Sequence, residues 1–226
     1  MWIDFILGHW ERALEQADAF IAECESGSPH TNESLAREVR AGISRARGEG
    51  EEAIRHQLRA YELMIADRGA FHRIGALALL AATYAELGRD EARDLAVQIP
   101  PLVRETGLHG GLIRLAPYAN ALGVDDELRA AVAVGAGPRV PVWRRTMELI
   151  LGGELSAAAD VMAAAGNVTA EANLRKLAGL RLSSAGRSEE ARADLERALA
   201  FYRNVGASAY VAEIESALAG AQSASA

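Results

Sequence analysis

Five histidines, at positions 9, 30, 56, 72 and 109, and a lone cysteine, Cys24, are the first side chains to test for chemistry. A helix that binds zinc presents two histidines one turn apart, as in His-Glu-x-x-His, and no pair here has that spacing. Cys24 is flanked by Glu23 and Glu25, whose charge opposes formation of a thiolate, so it reads as inert. Lys176 is the only lysine and follows Asn173, Leu174 and Arg175, which rules out the Gly-Lys-Ser/Thr arrangement that cradles nucleotide phosphates. Gly107, Gly110 and Gly111 surround His109, yet no strand precedes them and no lysine follows; they read as a linker. The acid pairs Asp125-Asp126 and Glu189-Glu190 each come just after a glycine, where negative charge suits the start of a helix. Ser183 and Ser184 have no histidine in register to activate them. The expectation is a chain with no catalytic residue, no metal and no cofactor: not an enzyme.

The elements that carry these residues are helices. Of the 226 residues 5% are aromatic, and Ala, Leu, Glu and Arg dominate, a composition suited to thin helix-on-helix packing. No segment shows sustained alternation of period two, so more than about two-thirds of the chain is expected to be helical, with no sheet. A net charge of −7 works against binding a nucleic acid, whose affinity for proteins comes mainly from basic side chains. The uncharged stretch from Gly75 to Ala85 is too short to span a bilayer. With one cysteine no internal disulfide can form, and a cytoplasmic location is expected.

Glycines recur at 8, 48, 88, 123, 153 and 186, spaced 40, 40, 35, 30 and 33 residues apart. Each closes one apolar-periodic helix and precedes another. In the clearest copy, Gly186-Arg187-Ser188-Glu189-Glu190-Ala191, the glycine supplies a left-handed cap, the acids meet the positive end of the next helix, and the alanine lets two helices approach closely. Ala13, Ala53 and Ala158 hold the position of Ala191 in other copies. These periods bracket the roughly 34 residues of a tetratricopeptide hairpin.

The chain thus resembles a degenerate tetratricopeptide array: an all-α superhelical solenoid of about six hairpins with a C-terminal capping helix, spanning 1–218. Departures from the pattern are Gly50 at a site usually aromatic, Pro100 and Pro101 in a second helix, and Pro117 in a first helix, so 98–141 is the most degenerate stretch. The small, polar segment 219–226 reads as a disordered tail. The ending from Glu196 through Tyr202 and Gly206 to Tyr210 is similar to the last repeat of actinobacterial-type multidomain signalling proteins, which carry an ATPase or cyclase domain, and of transcriptional regulators. The resemblance implies a protein-interaction or regulatory scaffold, the C-terminal repeat region of a larger cytoplasmic protein with a preceding ATPase or cyclase domain. The alternative is a sensor that takes a small molecule or peptide in its groove, as the repeats of maltose-regulator-type activators imply.

First helices line the inner surface of such an array. On that register Glu38 and Arg45 of the second hairpin, Trp143, Met147 and Ile150 of the fifth, and Asn173 and Lys176 of the sixth are the candidate ligand-facing residues. The expected partner is a protein or peptide, with no nucleic acid and no membrane. Only half a helix precedes Gly8, leaving Trp2, Phe5 and Leu7 near an edge. These apolar side chains are expected either to meet a preceding domain or to drive self-association.

Overall fold

A computed structural model describes residues 1–66, 69–107, 111–134 and 141–223. Helix makes up 80% of the chain, and no strand occurs among the described residues. In order the helices are α1 (Trp2–Ile6), α2 (Trp10–Glu25), α3 (Glu33–Arg47), α4 (Gly50–Ala66), α5 (Ala70–Glu86), α6 (Glu91–Ala96) and α7 (Ile99–Thr106). There follow α8 (Leu112–Leu115), a 3-10 turn (Ala116–Tyr118), α9 (Asp125–Val134), α10 (Pro141–Leu151), α11 (Leu155–Ala164), α12 (Val168–Ser184), α13 (Ser188–Asn204) and α14 (Ser208–Ser223).

All six turn glycines have positive φ, from 67 to 85°. The alanines that follow them are packed tight: Ala13, Ala53, Ala158 and Ala191 have 0, 0, 0 and 1% exposure. At the α12–α13 crossing a Cβ added to Gly179 would sit 2.5 Å from Leu195 Cγ, so two helix backbones meet there with no room to spare. Ala191→Leu should overpack this crossing and cost about 1–3 kcal/mol, read as a lower urea midpoint. An unchanged midpoint would show that the hairpin is not packed through this face. Arg175, 4% exposed, ties the same region together by donating to Glu171, Asp160 and Asp194 at 2.8, 2.7 and 2.8 Å.

Proline explains the irregular middle. Pro100 and Pro101 lie in the first turn of α7, where a missing N–H is tolerated, and the preceding helix stops at Ala96. Pro117 lies in the 3-10 turn, so the helical segment here is split into α8 and that turn. The linker residue His109 falls outside the described residues. At the other end α14 continues to Ser223, so 219–223 extend a helix rather than form a tail; alanine, the strongest helix former, recurs through this stretch.

The chain ends meet. One of two apolar clusters joins Phe5, Trp10, Val39 and Ile43 to Leu195, Tyr202, Tyr210 and Ile214, residues from opposite ends of the sequence. Trp10 Nε1 donates to Thr169 Oγ1 at 3.0 Å, and that hydroxyl donates to the Phe5 carbonyl. The Trp10 ring meets Phe201 and Tyr202 edge-on at 5.7 and 6.2 Å. Ser208 Oγ donates to the Arg47 carbonyl at 3.1 Å, where α14 packs on α3. Gly8, at φ 81°, passes so near α13 that a Cβ would lie 2.9 Å from Phe201 Cε2.

This closure corrects the reading of an uncovered N-terminal edge. Phe5 is 3% exposed and stacks on Trp10 at 5.6 Å, while Trp2 is half-buried beside it. The C-terminal helices pack over the N-terminal ones, and of the three residues only Leu7 stays exposed. Thr169→Val would leave Trp10 Nε1 without its acceptor and remove one of the two donors to the Phe5 carbonyl, which keeps the Gly8 N–H. A loss of about 1–3 kcal/mol is expected in chemical denaturation.

Candidate functional site

Charged side chains point to the middle of the molecule from helices far apart in sequence. On α3, Glu38 and Arg45 are seven residues apart, two turns along one face. The last turns of α5 bring Ala82, Thr83 and Glu86. Arg114 on α8 and Tyr118 just after it come from the irregular hairpin, Asn173 and Lys176 from α12, and Tyr210 from α14. Glu38, Arg45, Gln57, Leu79, Ala82, Glu86, Arg114, Tyr118 and Asn173 line a narrow crevice with about 20 Å³ of free room at its base. Most of these side chains are half-buried, so the crevice reaches solvent.

Glu86 is the hub. It accepts hydrogen bonds from Lys176 Nζ at 3.3 Å and from the Tyr210 hydroxyl, and Arg45 Nε lies 3.3 Å from its other oxygen. Lys176, 2% exposed, also donates to Glu213 at 3.1 Å and sits 3.7 Å from the centre of the Tyr210 ring. Burial pushes the Glu86 carboxyl up, but the charges of Arg45 and Lys176 and the Tyr210 and Lys176 hydrogen bonds outweigh it, holding the carboxyl at about 2. Lys176 is held above its ordinary value although burial opposes its charge, because Glu86 is adjacent. Burial likewise raises the hydroxyls of Tyr118 and Tyr210 well above the usual tyrosine range.

The opposite wall is less well paired. Glu38 is pushed up to about 7 by burial, against which Arg114 supplies only partial relief. Arg114 is lowered, first by burial and then by repulsion from Arg45. Two donors in the crevice have no aligned acceptor: Arg45 Nε, despite its nearness to Glu86, and Gln57 Nε2 on a residue only 3% exposed. Buried donors of this kind ordinarily find partners, so their coincidence at one place calls for an acceptor.

The raised Glu38 makes stability depend on pH. The folded state keeps a proton that the unfolded chain releases above its ordinary value of 4.5, so stability falls as pH rises from there to about 7, and the full penalty persists above. Glu38→Gln removes that dependence. The variant should exceed the parent chain by about 1–3 kcal/mol at pH 8 and by much less at pH 5, measured as urea midpoints.

Of the sequence candidates, Glu38, Arg45 and Asn173 line the crevice and Lys176 lies beside them at Glu86. The fifth hairpin is placed differently. Met147 and Ile150 are in the other apolar core, 2 and 3% exposed, because α10 packs its inner face on α8 and the 3-10 turn. Trp143, at the start of α10, is exposed. Gln57, Glu86, Arg114, Tyr118 and Tyr210 were not signalled as site residues. A second, open groove of about 350 Å³ runs past Cys24, Glu25, Glu33, Arg37, Arg55 and Arg59. Its central Arg37 is already paired with Glu33 and Glu25 at 2.7 and 2.8 Å.

The fold and site together define an all-helical chain, closed end to end, with a charged interior crevice. No protein-family model matches this chain, and no curated protein matches its sequence. Among the described residues no helix is long and apolar enough to cross a membrane, and no group of three or more His, Cys, Asp or Glu side chains could hold a metal ion.

Proposed function

We propose that the chain is a non-catalytic regulatory module, a tetratricopeptide-like superhelix, that senses a small ligand in its central crevice. The observation that carries this reading is the pair of buried donors without an aligned acceptor, Arg45 Nε and Gln57 Nε2, on residues that line one crevice built from α3, α4, α5, α8 and α12. A ligand there touches helices from both ends of the sequence, so occupancy favours the closed array over more open ones. That differential affinity is what a sensor requires. An α-helix about 10 Å across cannot enter a crevice this narrow, which argues against a helical peptide as its occupant. A cytoplasmic setting and a domain that receives the signal belong to the same proposal.

The reading as a protein-interaction scaffold draws its support from Trp143, 39% exposed on α10, since exposed tryptophan is typical of protein contacts. The two readings separate in one experiment. Melting the chain in a deproteinised small-molecule extract of cells should raise its melting temperature, and filling the crevice by Asn173→Trp should abolish the rise. An equal rise in both, or none in the unmodified chain, contradicts the sensor reading.

A further inference from the structure

The geometry points to the occupant of the crevice: a small monocarboxylate, or the single carboxylate group of a larger ligand, bound by Arg114, Arg45 Nε and Gln57 Nε2. This inference rests on the crevice being a ligand site, as proposed above, and adds the chemical class of the ligand.

Three features select that class. The groups short of a partner are donors. Arg45 Nε and Gln57 Nε2 have no aligned acceptor, and the Arg114 guanidinium has a charged neighbour in Glu38 but no side-chain hydrogen bond among the described residues. A carboxylate accepts through two oxygens with about four lone-pair directions and meets a guanidinium edge to edge. An ammonium or other pure donor would add to the imbalance.

Charge gives the second constraint. Below pH 7 Glu38 is mostly protonated, so Arg45, Arg114 and Lys176 face only Glu86 and Glu213, and the cluster lacks one negative charge. A monoanion supplies it. A dianion would overshoot and press against Glu86, whose carboxylate stays ionised.

Room gives the third. About 20 Å³ of free space accommodates one or two water-sized centres, room for the oxygens of one carboxylate. Asn173 and Tyr118 also line the space, and among the described residues neither side chain makes a hydrogen bond, so both can contact whatever group the carboxylate carries.

The test follows the arginine side-chain Nε–Hε signals by NMR while sodium acetate is added at pH 6.5, with sodium chloride balancing ionic strength. The expected result is a saturable shift of the Arg114 and Arg45 signals, with affinity at least tenfold weaker in Arg114→Gln. If that variant fails to fold, Gln57→Leu removes one donor and should weaken binding several-fold. A linear drift matched by chloride alone overturns the proposal. Saturation by sodium phosphate or glycerol but not by acetate also overturns the carboxylate assignment while leaving the crevice a ligand site. Loss of that broader reading shows instead in the extract experiment, where Asn173→Trp would melt like the unmodified chain.

Discussion

Glu86→Gln is expected to lower stability by about 3–5 kcal/mol at pH 7, a fall in melting temperature of roughly 6–20 °C for a chain of this size. The substitution keeps shape and removes charge, so Lys176 and Arg45 remain buried without the carboxylate that lies 3.3 Å from each. Glu213 reaches Lys176 but is itself half exposed and offers weaker compensation. The acid side provides an independent check. Because the folded carboxyl is held at about 2 against an ordinary 4.5, Glu86 contributes stability above 4.5 that is lost as pH falls through 2. The parent chain should therefore lose stability across that window more steeply than Glu86→Gln. Parallel acid limbs in the two proteins would show that Glu86 is not the hub of the cluster.

Trp10→Ala should cost about 3–5 kcal/mol, as expected for deleting a large side chain from a packed core. Trp10 is 3% exposed, touches Phe5, Phe201 and Tyr202, and donates to Thr169 across the meeting of the two ends. Its loss should therefore loosen α1 and α14 together while leaving α7 and α9 unaffected. Trp10→Phe keeps an aromatic ring but not the N–H and should cost only about 1–2 kcal/mol. A loss below about 1 kcal/mol in Trp10→Ala, by urea denaturation, would mean that the ends contribute little to each other.

What could be read from the sequence was local. A glycine that must adopt positive φ, acids after it and an alanine five residues on mark a hairpin wherever they occur, and these marks recur along the chain. Helical register also pointed Glu38, Arg45, Asn173 and Lys176 inward. It failed for Met147 and Ile150, because the irregular α8 and its 3-10 turn move in against α10 and convert its inner face into core. The same irregularity concealed Arg114 and Tyr118: Pro117 interrupts the periodicity from which an inner helix is recognised. Glu86 follows an alanine-rich run as the last residue of α5, a position that reads as an ordinary helix end. Tyr210 looked like part of a terminal cap, whereas α14 packs on α3. Contacts such as Trp10 to Thr169, 159 residues apart, leave no periodic trace, so the closure that assembles the crevice was not legible.

An open repeat array and a closed module differ most directly in how their parts unfold. In an open solenoid each hairpin contacts only its neighbours, and terminal hairpins open at low free energy. If the crevice ties both ends into one unit, native-state hydrogen exchange should give α3, α5, α12 and α14 a single opening free energy close to that of global unfolding. Independent and much easier opening of α1–α3, with α12–α14 still protected, would contradict the closed module and the central ligand site with it.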